Sequence, residues 1–297
     1  MKYEFTGDTL EYSGKILNRI RSLIDIPEHN VKVGELGGWV EDRFSLSQTE
    51  ASWVADESKV LDKGRVIGNA LIENNSIVKD NGRVQHNAKI SNTIVSEDGA
   101  VFDNALVKNS RVIGSGRVYE NAIVENSLIA DESKVFGNSK VTYTSTFGKS
   151  SISENAEVYN VIVENECSIL DSAKVSGKER GSNRKRLNVN SIITKTFDNN
   201  CFEISFNGGR YRTCSYSGYE MVGNKKIHYI FSLSLYGVYN KTIDEWAKFE
   251  PERPDDSEYM RSYYNTIKIV KTIITTLNNG DEFTNYRKQT PKRKAKQ

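Results

Sequence analysis

Cysteine and histidine are scarce in this chain, and long apolar runs are missing. The three cysteines, Cys167, Cys201 and Cys214, are odd in number and lack a CxxC spacing. That excludes a disulfide framework and points to a reducing compartment. Only His29, His86 and His228 are present, and the repeats described below hold one of them, too few for a histidine-based zinc site. No run of 18 apolar residues occurs, and the start MKYEFTGD is not that of a signal peptide, so a soluble cytoplasmic protein is expected, with no membrane segment. Metal-binding, P-loop and Rossmann signatures are absent, and no cofactor or metal is predicted.

The net charge of +2 hides a division. Residues 36–177 carry 14 basic against 20 acidic side chains, net −6, whereas residues 178–297 carry 22 against 13, net +9. Two segments hold much of the basic excess. The stretch 178–186 (KERGSNRKR) reads as a hinge, and 281–297, ending in RKQTPKRKAKQ, reads as a basic disordered tail.

What the chain does have is a period of 17. Asn87, Asn104, Asn121, Asn138 and Asn155 recur at that spacing, as do Asn75, Asn92, Asn109 and Asn126, which lapse at Tyr143 and resume at Asn160. A fixed period over this length means one unit stacked on copies of itself. Within a period the aliphatic residues step by six, six and five. The three columns start at Val78, Val84 and Ile90 and run to Val163, Ile169 and Val175. A helix needs recurrence near 3.6, which these steps do not supply. Short β-branched segments joined by tight corners do. Two positions before the aliphatic residue sits a small one, as in Gly82, Gly99, Gly116, Ser133 and in Ala88, Ala105, Ala122, Ser139.

The fold expected is therefore mainly β: a parallel triangular β-helix of about eight coils over 36–177, whose earliest turns run at 18. Its asparagines are expected as ladders at left-handed corners. A β cap over residues 1–35 would cover the first coil. After the hinge, an α+β module is expected over 187–280. Its strands would lie near 187–197, 201–206, 210–216 and 227–236, followed by the capping box Thr242-Ile243-Asp244-Glu245 and a helix over 257–277.

The repeat resembles the hexapeptide repeat of left-handed parallel β-helix proteins, an aliphatic residue followed four positions later by a small one, as in Val60 with Gly64 and Val66 with Ala70. That resemblance alone implies the left hand, since parallel crossovers are otherwise right-handed. A cap followed by Gly37-Gly38-Trp39-Val40-Glu41, then Leu46-Ser47-Gln48 and Trp53-Val54, is similar to a β-helix family common in phages and prophages, over roughly residues 1–177. Some of its bacterial members carry an acyltransferase label. The family brings no catalytic residues to transfer, and Trp39 and Trp53 read most simply as core residues at the N-terminal end. Strands followed by TIDEW also resemble the C-terminal part of those phage proteins.

Two kinds of function compete. Hexapeptide-type acyltransferases need a histidine base, for which His86 with Asp103 one coil later is the only candidate pair; the plainer reading is a solvated corner histidine beside an acidic column. The coil surfaces suggest binding instead. Phe102, Tyr119 and Phe136 fall in register with Arg83, Arg117 and Lys134 beside them, a combination typical of interface anchors, for self-association, for docking of the C-terminal module or for a foreign protein. Aromatics beside arginine can also stack nucleic-acid bases, against which the net −6 of the helix counts. Another face is expected to show Ile77, Ile94, Ile113, Leu128, Phe147 and Ile162, more apolar surface than a monomer leaves open. The reading is a non-enzymatic, phage-type scaffold that binds a macromolecule, directed at a host defence protein and assembled as a homodimer or trimer. Nucleic acid binding through the basic tail is a further expectation. The alternatives are an acyltransferase using His86 and a small-ligand or nucleotide sponge at subunit interfaces.

Overall fold

The computed structural model describes residues 1–164 and 166–177 in full. Beyond these it describes the backbone of strands Lys185–Asn188, Ile192–Ile193, Glu203–Gly208, Tyr211–Val222, Lys225–Ile230 and Lys241–Thr242. The chain forms two units, Met1–Cys201 and Phe202–Gln297. In the second unit the last four of these strands pair antiparallel in chain order. The expected capping box beyond Thr242, the 257–277 helix and the tail lie outside the described residues.

The first unit is a parallel β-solenoid. Its interior follows from the three aliphatic columns. Val60, Val78, Val95, Val112, Ile129, Thr146 and Val163 lie directly over one another in one wall. The columns starting at Val66 and Ile72 do the same in the other two. Nearly all of these side chains are fully buried. Each such Val or Ile stabilises the fold by about 1.5–3 kcal/mol relative to exposure, and a short β-branched strand is the conformation that lets all of them point inward. The first wall also takes the cap strands, the second begins at Trp53–Val54, and the third begins at Arg65–Val66. Backbone pairing runs past residue 177, where 185–188 adds to the first wall beside 161–164 and 192–193 adds to the third beside 168–169.

The small columns have a steric cause. A Cβ on Gly82 would lie 2.6 Å from the Val95 carbonyl oxygen, and one on Gly116 would lie 2.7 Å from that of Ile129. The next coil's backbone thus occupies the space a side chain would need. In the first wall the equivalent column is Ser58, Ser76, Thr93, Ser110, Ser127 and Thr144, all buried. Each of these hydroxyls from Ser58 to Thr144 accepts the backbone N–H of the next coil at 3.0–3.4 Å. Those from Ser76 on also donate to a carbonyl two or three residues back. They are committed to the wall and are not nucleophiles.

The corners carry the ladders. Asn69, Asn87, Asn104, Asn121, Asn138 and Asn155 pass amide hydrogen bonds along the axis at 3.0–3.1 Å. Their backbone, however, is not left-handed. The residue before each of them takes that role: Gly68, His86, Asp103, Glu120, Gly137 and Glu154 have φ of 57–73°. The other column, Asn75, Asn92, Asn109, Asn126 and Asn160, is left-handed as expected, and so is Tyr143 (φ 51°) in the place of an asparagine.

The cap is a hairpin of β1 (Tyr3–Tyr12) and β2 (Lys15–Ser22), turned by Ser13 and Gly14 at positive φ. β2 pairs antiparallel with β3 (Leu36–Val40), and β3 pairs parallel with Lys59–Val60. The cap therefore merges into the solenoid through β3. Buried Lys2 fastens it, donating from Nζ to the carbonyls of Glu50 (2.7 Å) and Ser52 (2.6 Å), and burial lowers its pKa to about 8. The expected turns of 18 are present from the Trp53–Leu71 step to the Leu71–Lys89 step, and the period is 17 from Ile77–Ile94 on, but the step from Val40 to Val60 is 20 residues. Trp53 is core, 1% exposed. Trp39 is not: it is half-buried on the surface, donating to Glu57 Oε2 at 2.8 Å with Arg19 over its ring.

Candidate functional site

Alternation along each strand of the third wall sends one residue in and the next out, so this wall presents three outward columns. The first is Asn81, Asp98, Ser115, Glu132 and Lys149. The middle one is Arg65, Arg83, Ala100, Arg117, Lys134 and Ser151, in register. The last is Gln85, Phe102, Tyr119, Phe136 and Ser153.

The three aromatic rings form a stack. Phe102 and Tyr119, then Tyr119 and Phe136, have centroids 4.9 Å apart and planes within 1° of parallel. The spacing is that of the coils, so the backbone ladder sets it. Each ring is half-buried. Burial, with Glu120 nearby, raises the Tyr119 pKa, which keeps its phenol protonated and able to donate. Arg83, Arg117 and Lys134 do lie beside the stack, as the register requires, and none forms an ion pair among the described residues. A groove of about 610 Å³ is lined by Ser115, Arg117, Tyr119, Glu132, Lys134, Phe136, Lys149 and Ser151. A second, of about 570 Å³, is lined by Asn81, Arg83, Gln85, His86, Asp98, Phe102 and others, and shares Ser115 and Arg117 with the first.

The structure also brings His86 and Asp103 together. His86 Nδ1 lies 2.8 Å from Asp103 Oδ1, with the side chains 58% and 37% exposed. The Asp103 backbone N–H points at the same nitrogen from 3.3 Å. One nitrogen cannot accept that bond and donate to the carboxylate at once; the shorter contact favours a proton on Nδ1. Phe102 meets the ring edge-on at 6.4 Å. Along this corner the acidic side chains do structural work: Asp103, Glu120 and Glu154 each accept the backbone N–H of the next corner at 2.9–3.2 Å. Among the described residues no group of three or more His, Cys, Asp or Glu could hold a metal ion.

The other expected surface is less continuous than its residue types suggest. Ile77, Ile94, Leu128 and Ile162 share one column of the first wall, but Arg111 and Ser145 interrupt it. Ile113 and Phe147 belong to a different column. The feature that sequence reasoning missed is the absence of any acid from the middle column of the third wall; aligning the columns on the register from Arg65 would have found it.

The model of the GlmU-like C-terminal hexapeptide family matches residues 104–193. The match lies on the later coils of the parallel β-solenoid and on the strands that extend it. No curated protein matches it. Among solved structures it is similar to a UDP-N-acetylglucosamine acyltransferase from Campylobacter jejuni, at 12% identity over 78% of this chain and 82% of that one, with a TM-score of 0.31. A likeness at that level carries no inference about a reaction. No helix among the described residues is long and apolar enough to cross a membrane.

Proposed function

We propose that this hexapeptide-repeat β-helix is a non-enzymatic binding scaffold whose third wall holds a macromolecule. The observation that carries the reading is the parallel stack of Phe102, Tyr119 and Phe136 beside Arg83, Arg117 and Lys134, which form no ion pair among the described residues. Stacked aromatic rings held half-buried by the backbone ladder lose little entropy on binding, and the exposed cations beside them supply charge, the combination found in interface anchors. The resemblance of residues 1–177 to phage proteins makes a component of the host's defence the candidate target, met in the host cytoplasm. Assembly into a dimer or trimer belongs to the same proposal. The test is affinity capture from bacterial lysate, with and without nuclease, using the wild type and Phe102→Ser/Tyr119→Ser/Phe136→Ser, each first weighed by light scattering. The reading expects captured material that the folded triple variant loses. Identical capture by both proteins would end it.

A second reading is supported by the 2.8 Å contact between His86 and Asp103. A neutral His86 donating from Nδ1 to Asp103 keeps a lone pair on Nε2, the arrangement of a general base. Acyl transfer would then use His86 to take a proton from an acceptor hydroxyl or amine lying in the groove beside Phe102. Calorimetry with acyl-CoA, and turnover by wild type and His86→Ala, decide it: no binding removes this reading, and His86-dependent turnover replaces the first.

A further inference from the structure

Charge on the second wall alternates, whereas on the third it accumulates. In the second wall Lys140, Glu157 and Lys174 are register neighbours, and Lys174 Nζ meets Glu157 Oε2 at 3.2 Å. In the middle column of the third wall Arg65 lies directly beside Arg83, and Arg117 directly beside Lys134, with no acid anywhere in the column. Like charges directly opposite one another in a sheet are destabilising. The four cations span four coil steps, about 19 Å. Arg65 donates to the Phe44 carbonyl; no carboxylate among the described residues pairs with any of the four. The two grooves meet at Ser115 and Arg117 and run along this stripe from Arg83 to Lys134.

Both edges of the wall are acidic. On one side stand Asp80, Glu97 and Asp131, and on the other Asp103, Glu120 and Glu154, each accepting the backbone N–H of the following coil at 2.9–3.2 Å. The result is a narrow positive track between two negative rails. A linear polyanion fits on the track, while a ligand with two separated rows of phosphates would set them against the rails. Beside the track the aromatic stack ends at Phe136, whose neighbour one coil on is the small Ser153. No described ring stacks on Phe136 from that side; Ser153 itself is buried, and the half-exposed Phe136 ring is the surface left for one more flat ring.

We infer that the third wall binds single-stranded nucleic acid, its phosphates along Arg65, Arg83, Arg117 and Lys134 and a base continuing the stack at Phe136. A cationic groove that tracks a backbone beside aromatic rings is how sequence-tolerant single-strand binders work. The inference rests on the third wall's being the binding face and names the class of partner. It differs from binding through the basic tail, because it places the strand on the solenoid.

The test is fluorescence anisotropy of the full chain with a fluorescein-labelled 12-residue oligothymidine, competed with a duplex of the same length and with thymidine monophosphate. Arg117→Glu/Lys134→Glu, both at exposed positions, should bind about tenfold or more weakly, and its slope of log K against log salt should shrink by about 1.4, two phosphate contacts' worth. Arg83→Glu should weaken binding less, and duplex and mononucleotide should compete poorly. Circular dichroism melts keep the variants comparable. If the double variant binds like the wild type, the tail carries the strand and the inference is overturned. Equal competition by duplex overturns it as well. If oligothymidine does not bind while the triple aromatic variant still loses captured material, this inference fails and the binding reading stands.

Discussion

The second and third walls share an interior and differ outside. Both bury one aliphatic residue per coil over a small neighbour, and both pair in parallel at the same register. Outside, the second wall mixes lysine, glutamate and leucine, while the third gathers four cations in one column and three aromatic rings in the next. The solenoid therefore dictates what points inward and leaves the outward positions free. A costly outward pattern repeated over several coils is where function is to be sought.

The largest effect should come from breaking what the walls share. Gly116→Val would place a side chain against the Ile129 and Ile113 carbonyls, costing about 3 kcal/mol or more. Denaturant unfolding should show a large drop in midpoint, although Gly116 belongs to the third wall. At the corner between the two walls, Asn104→Ala removes one bond to Asn87 and one to Asn121 and should cost about 1 kcal/mol, the usual net worth of a hydrogen bond.

Two substitutions should stabilise the chain. Tyr143 holds φ 51° where its column otherwise has asparagine. Because asparagine tolerates left-handed angles better, Tyr143→Asn should add about 1 kcal/mol, read from thermal melts. Lys134→Glu puts an opposite charge beside Arg117 and should add about 0.2–1 kcal/mol. The gain should fade at high salt, since the pair is exposed. A matching gain from reversing a lysine of the second wall would erase the contrast.

The smallest effect concerns the cap. Burial, with Lys89 and Lys2 nearby, lowers the His29 pKa below its ordinary 6.5, while the Asn69 backbone and Glu28 offset part of that. The unfolded chain then binds a proton more readily than the folded one, so this contribution is full above pH 6.5 and is lost as pH falls below it. Hydrogen exchange of the 26–31 turn should quicken between pH 6.5 and 5 and leave the coils unchanged.

The coils were legible because stacking repeats the same environment every 17 residues, so periodicity reports directly on burial. The handover from cap to solenoid was not. The steps of 20 residues, Val40 to Val60 and Leu46 to Val66, occur only at this handover and match no later period, and Trp39 looked like core because residue type alone cannot tell a ring that donates to Glu57 at the surface from a buried one. The left-handed residues of one corner were misplaced by one position, since asparagine marks both the ladder and the turn. On the third wall the aromatic register was readable from spacing, and the His86–Asp103 contact followed from it. The acid-free cation column, broken only by Ala100 between Arg83 and Arg117, was not, because it depends on the turns of 18 being aligned before residues are compared.

The most direct measurement sets the two walls against each other with the same change of charge. Oligothymidine affinity would be compared for Arg117→Glu/Lys134→Glu on the third wall and Lys108→Glu/Lys140→Glu on the second. A loss of about tenfold or more confined to the third-wall variant is the result predicted here. Equal losses from both variants, or none from either, would contradict the assignment of the third wall as the binding face for nucleic acid.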